Sequence, residues 1–494
     1  MTASPLSIHG LTFSYPALQG RSPHAVLDGI SFRLPAACRG VILGAADQGK
    51  TTLARILAGL VPRFTGGMLQ GSMTVAGRDP RETRPFDSVQ TIGVVFQDAD
   101  EQIFTTRCDT EVAFAMESLG IPLAAMQQRV AESLALVGLS DFTSRNPATL
   151  SGGEKKRLLI ACLAAVDPDL WILDEVFQEL DHTWRTALLE LLVTKSKPAL
   201  FFDSRWTPLY ADGFSDLSVL SACRLAAVSR GGAAPDMELL CREGICLPDS
   251  AGSGRPLDGA WEPLLRVDGL SYQFPGKGSF SLNVGSLELR SGEVCALVGR
   301  NGSGKSTLGK ALCGLLVPQA GTISLRAGRE FRRASPAELN RSVGYMFQNP
   351  DYQIFLPTVF EELALGLRAA GIAQDVIRGR VEEAQRLFHL PPGDMPPALM
   401  SYGARKRLQA ATYNLLGRRL LILDEIDSGL SYREFMSLIS ALVSSGSGLL
   451  LITHDAALAR AIAHRVIVID EGRIVWDSPA ELFASSPGMP GESR

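Results

Sequence analysis

Four short motifs occur twice in this chain, in the same order and at a nearly constant spacing, and this duplication constrains the fold more than any other feature. Gly44-Ala45-Ala46-Asp47-Gln48-Gly49-Lys50-Thr51-Thr52 returns as Gly299-Arg300-Asn301-Gly302-Ser303-Gly304-Lys305-Ser306-Thr307. Phe96-Gln97 returns as Phe347-Gln348, Ser151-Gly152 as Ser401-Tyr402, and Asp174-Glu175 as Asp424-Glu425. The 494 residues therefore read as two copies of one domain, over 4–245 and 263–486. The stretch 246–262, rich in Gly, Pro, Ser and Asp, reads as an exposed linker, and 487–494 as a flexible tail.

The repeated residues carry phosphate chemistry. Val294–Val298 is an apolar strand running into a glycine-rich turn and then a helix starting near Lys305, the context a P-loop requires. Glycines let successive N–H groups point inward as an anion nest, and the helix N-terminus adds favourable partial charge. Lys305 is placed to reach the β- and γ-phosphates of a nucleotide, and Ser306 to ligate Mg²⁺; Lys50, Thr51 and Thr52 repeat the pattern. Leu420-Leu-Ile-Leu-Asp424-Glu425 and Leu170-Trp-Ile-Leu-Asp174-Glu175 read as buried strands ending in paired carboxylates. Beside a P-loop, Asp424 and Asp174 suit the metal shell, while Glu425 and Glu175 suit polarising the attacking water. Gln97 and Gln348 can supply a neutral ligand to metal or water.

Leu150-Ser151-Gly152-Gly153-Glu154 opens an apolar helix, with Ser151 as its N-cap and two glycines permitting close backbone approach to a second anion site. With Thr453-His454-Asp455, the full motif set resembles the ABC ATPases over essentially the whole chain. The resemblance implies an α/β fold of two P-loop cassettes, each a RecA-like core with an antiparallel β subdomain and a helical subdomain. It implies ATP and Mg²⁺ as ligands and ATP hydrolysis as the activity. It also implies that the cassettes pair head to tail within the chain, so that each ATP meets one P-loop and the other domain's helix. The P-loop residues of both copies, Ser151, Gly152, Gly153 and Asp181 then become ATP-binding candidates, and His454 joins Glu425, Gln348 and Glu175 as a catalytic candidate. Tyr15 and Phe274 resemble the family's adenine-stacking aromatics.

Departures from the family pattern gather on one implied site. Asp47 stands where the second copy has Gly302, bringing negative charge toward the phosphates and giving up a flexible nest position. The second signature is Met400-Ser401-Tyr402-Gly403, where Tyr402 obstructs the approach glycine allows, and Ser431 replaces Asp181. The expected switch histidine falls near Asp203-Ser204, and no histidine occurs between His182 and His389. One site thus reads as built for hydrolysis and the other as slow or structural.

Phe347-Gln348-Asn349-Pro350-Asp351-Tyr352-Gln353-Ile354-Phe355 and Phe96-Gln97-Asp98-Ala99-Asp100-Glu101-Gln102-Ile103-Phe104 resemble the stretch typical of energy-coupling-factor (ECF) transporter ATPases, as does the opening Phe13-Ser14-Tyr15-Pro16. This implies the fused ATPase pair of an importer for a vitamin, cobalt or nickel, peripheral on the cytoplasmic face of the cell membrane. Its partners would be a transmembrane coupling subunit, docked at Asp98–Phe104 and Asp351–Phe355, and a substrate-binding membrane subunit. A sugar- or nucleoside-type importer ATPase is the second reading, and a soluble factor acting on ribosomes or DNA the third. A net charge of -4 argues against broad nucleic-acid binding. No apolar run is long enough to cross a bilayer and no signal peptide is evident. The eight cysteines read as scattered thiols suited to a reducing cytoplasm, with Cys241 and Cys246 lacking a redox or zinc spacing.

Overall fold

The computed structural model describes residues 4–16, 24–230, 233–247, 261–274 and 280–485. The chain packs as two units, Met1–Cys246 and Leu247–Arg494. Residues 248–260 of the expected linker and the expected tail 487–494 lie outside the described residues.

In the first unit, β1 (Leu6–Tyr15), β2 (His24–Leu34), β3 (Arg39–Leu43) and β4 (Met68–Val75) come first. β1, β2 and β4 form an antiparallel sheet in the order β2-β1-β4. β3 instead joins β5 (Ile92–Val95), β6 (Leu170–Asp174), β7 (Ala199–Asp203), β8 (Asp216–Ser221) and β9 (Arg224–Arg230). Their order is β5-β6-β7-β3-β8-β9, parallel except for β9. A parallel sheet is covered on both faces, which is why β6 and β7 are apolar runs buried at every position rather than alternating. One face packs against the small sheet and the helix Lys50–Leu57 through Leu6, Phe13, Leu27, Leu53 and Ile172. The other packs Trp171, Leu173 and Phe201 against helices that include Cys108–Ser118 and Gly152–Val166.

The second unit repeats this plan. β10 (Pro263–Gln273), β11 (Ser281–Arg290), β12 (Val294–Val298), β13 (Ala320–Ala327) and β14 (Glu330–Arg333) precede β15 (Val343–Met346), β16 (Leu420–Asp424), β17 (Gly448–Thr453), β18 (Arg465–Asp470) and β19 (Arg473–Pro479). The sheets run β11-β10-β13-β14 and β15-β16-β17-β12-β18-β19. Between β15 and β16 the chain leaves the sheet for the helices Val359–Ala369, Gln374–Leu387 and Tyr402–Leu415. In both units the glycine loop follows a central strand, and the acidic pair ends the strand two places away. The C-terminal ends of parallel strands therefore gather the phosphate-handling residues, where α/β sheets place their ligands.

One sequence expectation fails here. Cys241 and Cys246 are joined by a disulfide, because the short helix Met237–Arg242 ends in a turn at Gly244 (φ 74) that brings their Cα atoms to 4.9 Å. Cys108, Cys162, Cys295 and Cys313 are free thiols, and burial raises the pKa of each. No helix among the described residues is long and apolar enough to cross a membrane.

Candidate functional site

Each glycine loop wraps toward the lysine that follows it. Lys305 Nζ donates to the carbonyls of Gly299 (2.8 Å) and Arg300 (3.1 Å), and Lys50 Nζ to those of Gly44 (2.7 Å) and Ala45 (2.9 Å). The residue before each helix is a left-handed glycine, Gly304 at φ 106 and Gly49 at φ 96. A Cβ on Gly304 would stand 2.8 Å from the Phe280 ring, so the close approach also requires glycine. Asp47 corrects an expectation. Its φ is 64, near the 81 of Gly302, so the nest bend survives the exchange. Aspartate is among the few side chains that visit this region readily. What Asp47 changes is charge, not backbone shape.

Next to each lysine, the P-loop hydroxyl meets the strand-end aspartate. Thr51 Oγ1 donates to Asp174 Oδ2 at 2.7 Å and Ser306 Oγ to Asp424 Oδ1 at 3.0 Å. Asp174 Oδ1 is buried with no hydrogen-bond partner, an acceptor that a divalent cation would satisfy. Burial raises the pKa of Asp424 to about 6, with Glu425 adding to it. Gln97 and Gln348 follow β5 and β15 and are half-buried. Tyr15 donates to or accepts from Thr52 Oγ1 at 3.2 Å, while Phe274 is exposed and packs edge-on against Tyr272.

The two glutamates share a backbone and differ in surroundings. Both are left-handed, Glu175 at φ 55 and Glu425 at φ 49, and both are largely buried. Glu425 Oε1 lies 3.9 Å from His454 Nδ1. Burial pushes this carboxyl up, but the nearby His454, with Lys305 and Lys406, outweighs it and holds the pKa at about 2. Around Glu175 the balance reverses. Burial dominates and, despite Lys50 Nζ at 3.3 Å, the carboxyl is pushed up to about 8, with Asp203 and Asp174 contributing. Gln178 Nε2 hydrogen-bonds Glu175 Oε2, and also reaches Asp203 Oδ1 (2.5 Å) and Ser204 Oγ (2.6 Å). Ser204 donates to Glu175 Oε2 through both N and Oγ, each at 3.2 Å, and Tyr210 donates to Asp203 Oδ2 at 2.6 Å.

Ser151 caps the helix Gly152–Val166 in a full capping box with Glu154; Ser401 caps its counterpart, where Ala404 cannot return the bond. Asp181 caps its own helix, accepting from Trp184 N at 3.0 Å, as Ser431 does with Glu434. The Tyr402 ring is turned onto its own unit, its hydroxyl donating to the Gln348 carbonyl at 3.1 Å.

A family model for the ABC transporter matches residues 27–178 and 282–428, more than half the chain and once in each unit. The chain belongs to the ABC transporter ATP-binding family. A relative from Caldanaerobacter subterraneus subsp. tengcongensis is 30% identical over 94% of this chain and 90% of its own. Another from Methanosarcina acetivorans is 31% identical over 98% and 87%. Both are provisionally named ABC transporter ATP-binding proteins. An archaeal ribosome recycling factor, solved with a ribosomal stalk protein, shares the fold at a TM-score of 0.57 and 19% identity, covering 91% of this chain and 88% of that one. The cassettes are thus those of an ABC ATPase, which binds and hydrolyses ATP.

Several residues that hold the cassette sites together were given no role of their own by the sequence. The second glutamine of each ECF-like stretch closes its loop onto the preceding strand. Gln102 accepts from Phe96 N (2.7 Å) and donates to the Val94 carbonyl (3.1 Å); Gln353 accepts from Phe347 N (3.1 Å) and donates to the Tyr345 carbonyl (2.8 Å). Buried Glu111 and Glu362 close the far ends, accepting from Thr105 N (2.8 Å) and Leu356 N (2.9 Å). Lys156 and Lys406, both fully buried, occupy one register yet bind different loops. Lys156 Nζ donates to the carbonyls of Phe96 and Gln97, whereas Lys406 Nζ donates to the Ser428 carbonyl and Oγ. Aligning the two halves would have exposed Gln178, because it stands opposite Ser428.

Proposed function

We propose that this chain is the ATP-hydrolysing component of an ECF-type membrane importer, with Mg²⁺ as cofactor and hydrolysis carried by the second cassette. Lys305 and the Gly299–Gly304 loop would hold the phosphates. Ser306, Asp424 and Gln348 would hold Mg²⁺, which when bound draws charge from the β- and γ-phosphates. Glu425 keeps its carboxylate ionised beside His454, as a base for the attacking water must be. In the first cassette Lys50, Thr51 and Asp174 retain the binding groups, so that site would hold nucleotide with little turnover.

The observation that supports docking to a membrane subunit is the pair of stapled loops. With both ends tied down, each loop presents aromatic surface: Phe104 is 63% exposed, Tyr352 64% and Phe355 71%. Phe104 also stacks edge-on with Phe114 at 4.5 Å. Apolar rings held out on a tied loop fit a helix-in-groove partner. ATP-driven closure could then be passed to membrane helices as a differential-binding switch.

A tagged chain isolated from detergent-solubilised membranes should bring down integral membrane proteins. The double variant Phe104→Ser/Phe355→Ser should lose them while binding ATP normally. Recovery with ribosomes and no membrane protein would overturn the transport reading.

A further inference from the structure

The first cassette has lost the switch histidine, but a missing group does not by itself explain an idle glutamate. Glu175 keeps the same left-handed backbone as Glu425 and the same place at the strand end. What differs is that its carboxylate is already engaged. Gln178 projects from the turn Phe177–Glu179 and spans Glu175, Asp203 and Ser204, three residues that end β6 and β7 or follow them. The Ser204 amide and hydroxyl bind the same Oε2, and Lys50 faces Oε1. Both carboxylate oxygens therefore have protein partners. In the second cassette the residue opposite Gln178 is Ser428, whose hydroxyl accepts from Lys406 (2.7 Å) and donates to the Glu425 carbonyl (3.2 Å), leaving the carboxylate to His454.

We infer that Gln178 is a positioning residue that locks Glu175 onto Asp203 and Ser204, and that this lock, more than the lost histidine alone, keeps the first cassette from hydrolysing ATP. The inference rests on the asymmetry proposed above. A carboxylate with one oxygen bound by an amide and a serine and the other facing Lys50 has little acceptor capacity left for the proton of an attacking water. Gln178 is 7% exposed and Ser204 fully buried, so solvent does not readily compete for those bonds. Tyr210 holds the far oxygen of Asp203 at 2.6 Å and fixes the anchor to which the amide is tied. Shortening residue 178 to serine removes the bridge, and a histidine at 204 supplies the partner that Glu425 has. The unlocked reaction is ordinary hydrolysis. A water oxygen bonds the γ-phosphorus, the bond from phosphorus to the bridging oxygen breaks with its electron pair leaving on ADP, and the water's proton passes through the Glu175 carboxylate to the released phosphate.

The test measures ATP hydrolysis by the full chain in a Glu425→Gln background, where turnover must come from the first cassette. Adding Gln178→Ser and Ser204→His should raise kcat about tenfold or more with KM for ATP little changed, within the range a freed general base supplies. Gln178→Ala alone should give a smaller rise in kcat, and Gln178→Asn, which keeps the amide, less still. Binding of a fluorescent ATP analogue shows that each variant is folded. No rise in kcat in folded double and alanine variants would overturn the lock while leaving the asymmetry standing. If Glu425→Gln alone kept half the activity or more, the first cassette would already be working, and both the asymmetry and the lock would fall.

Discussion

Replacing Glu425 with glutamine should lower the ATPase rate of the intact chain by about a hundredfold or more, the scale of a lost general base, whereas Glu175→Gln should leave it within about twofold. The two substitutions are chemically identical and fall at matching strand ends, so the difference reports only surroundings. Glu425 is held ionised beside His454 and keeps its carboxylate available. Glu175 is pushed toward its neutral form by burial and by Asp203 and Asp174, and already accepts from Gln178 and Ser204. Exchanging a carboxyl that is already engaged should change little. Steady-state phosphate release by the two variants decides the matter, and equal losses would sink the asymmetry.

The second large effect is expected at Lys406. Its ammonium is fully buried and donates to the Ser428 carbonyl at 2.6 Å and hydroxyl at 2.7 Å, anchoring the turn that follows Glu425. Lys406→Met removes charge-assisted bonds each worth about 1.5–3 kcal/mol and leaves a buried carbonyl without that donor. Thermal unfolding should shift down by about 5–10 °C. ATP turnover should fall about tenfold or more, because small displacements of a catalytic group are costly. Lys156→Met should destabilise comparably, since that lysine is equally buried and holds the carbonyls of Phe96 and Gln97. It should cost less of the ATPase rate than Lys406→Met, because its bonds end on the loop at Gln97 and not on the turn that follows Glu425. Melting curves paired with turnover separate the two effects. A rate loss in Lys156→Met as large as that in Lys406→Met, at unchanged nucleotide binding, would count against the assignment.

The elements and the phosphate loops were legible in the sequence because they answer to local demands. A glycine at φ 106 before Lys305, a serine with its amide-capping hydroxyl at 151, and apolar runs such as Leu420–Asp424 each express what their own few residues can adopt. The duplication added the register that pairs one half with the other. Partner choice was not legible in this way. Gln178, Asp203 and Ser204 belong to a turn, a strand end and the residue after it, and only the parallel pairing of β6 with β7 sets them around one carboxylate. The same holds for Lys156 and Lys406, which occupy one register and still reach different loops, and for the disulfide between Cys241 and Cys246. Two cassettes with unequal motifs were thus determined by the sequence itself. What each glutamate is bonded to was decided by the tertiary structure, because a hydrogen bond depends on distances of a few ångströms between groups that lie far apart along the chain.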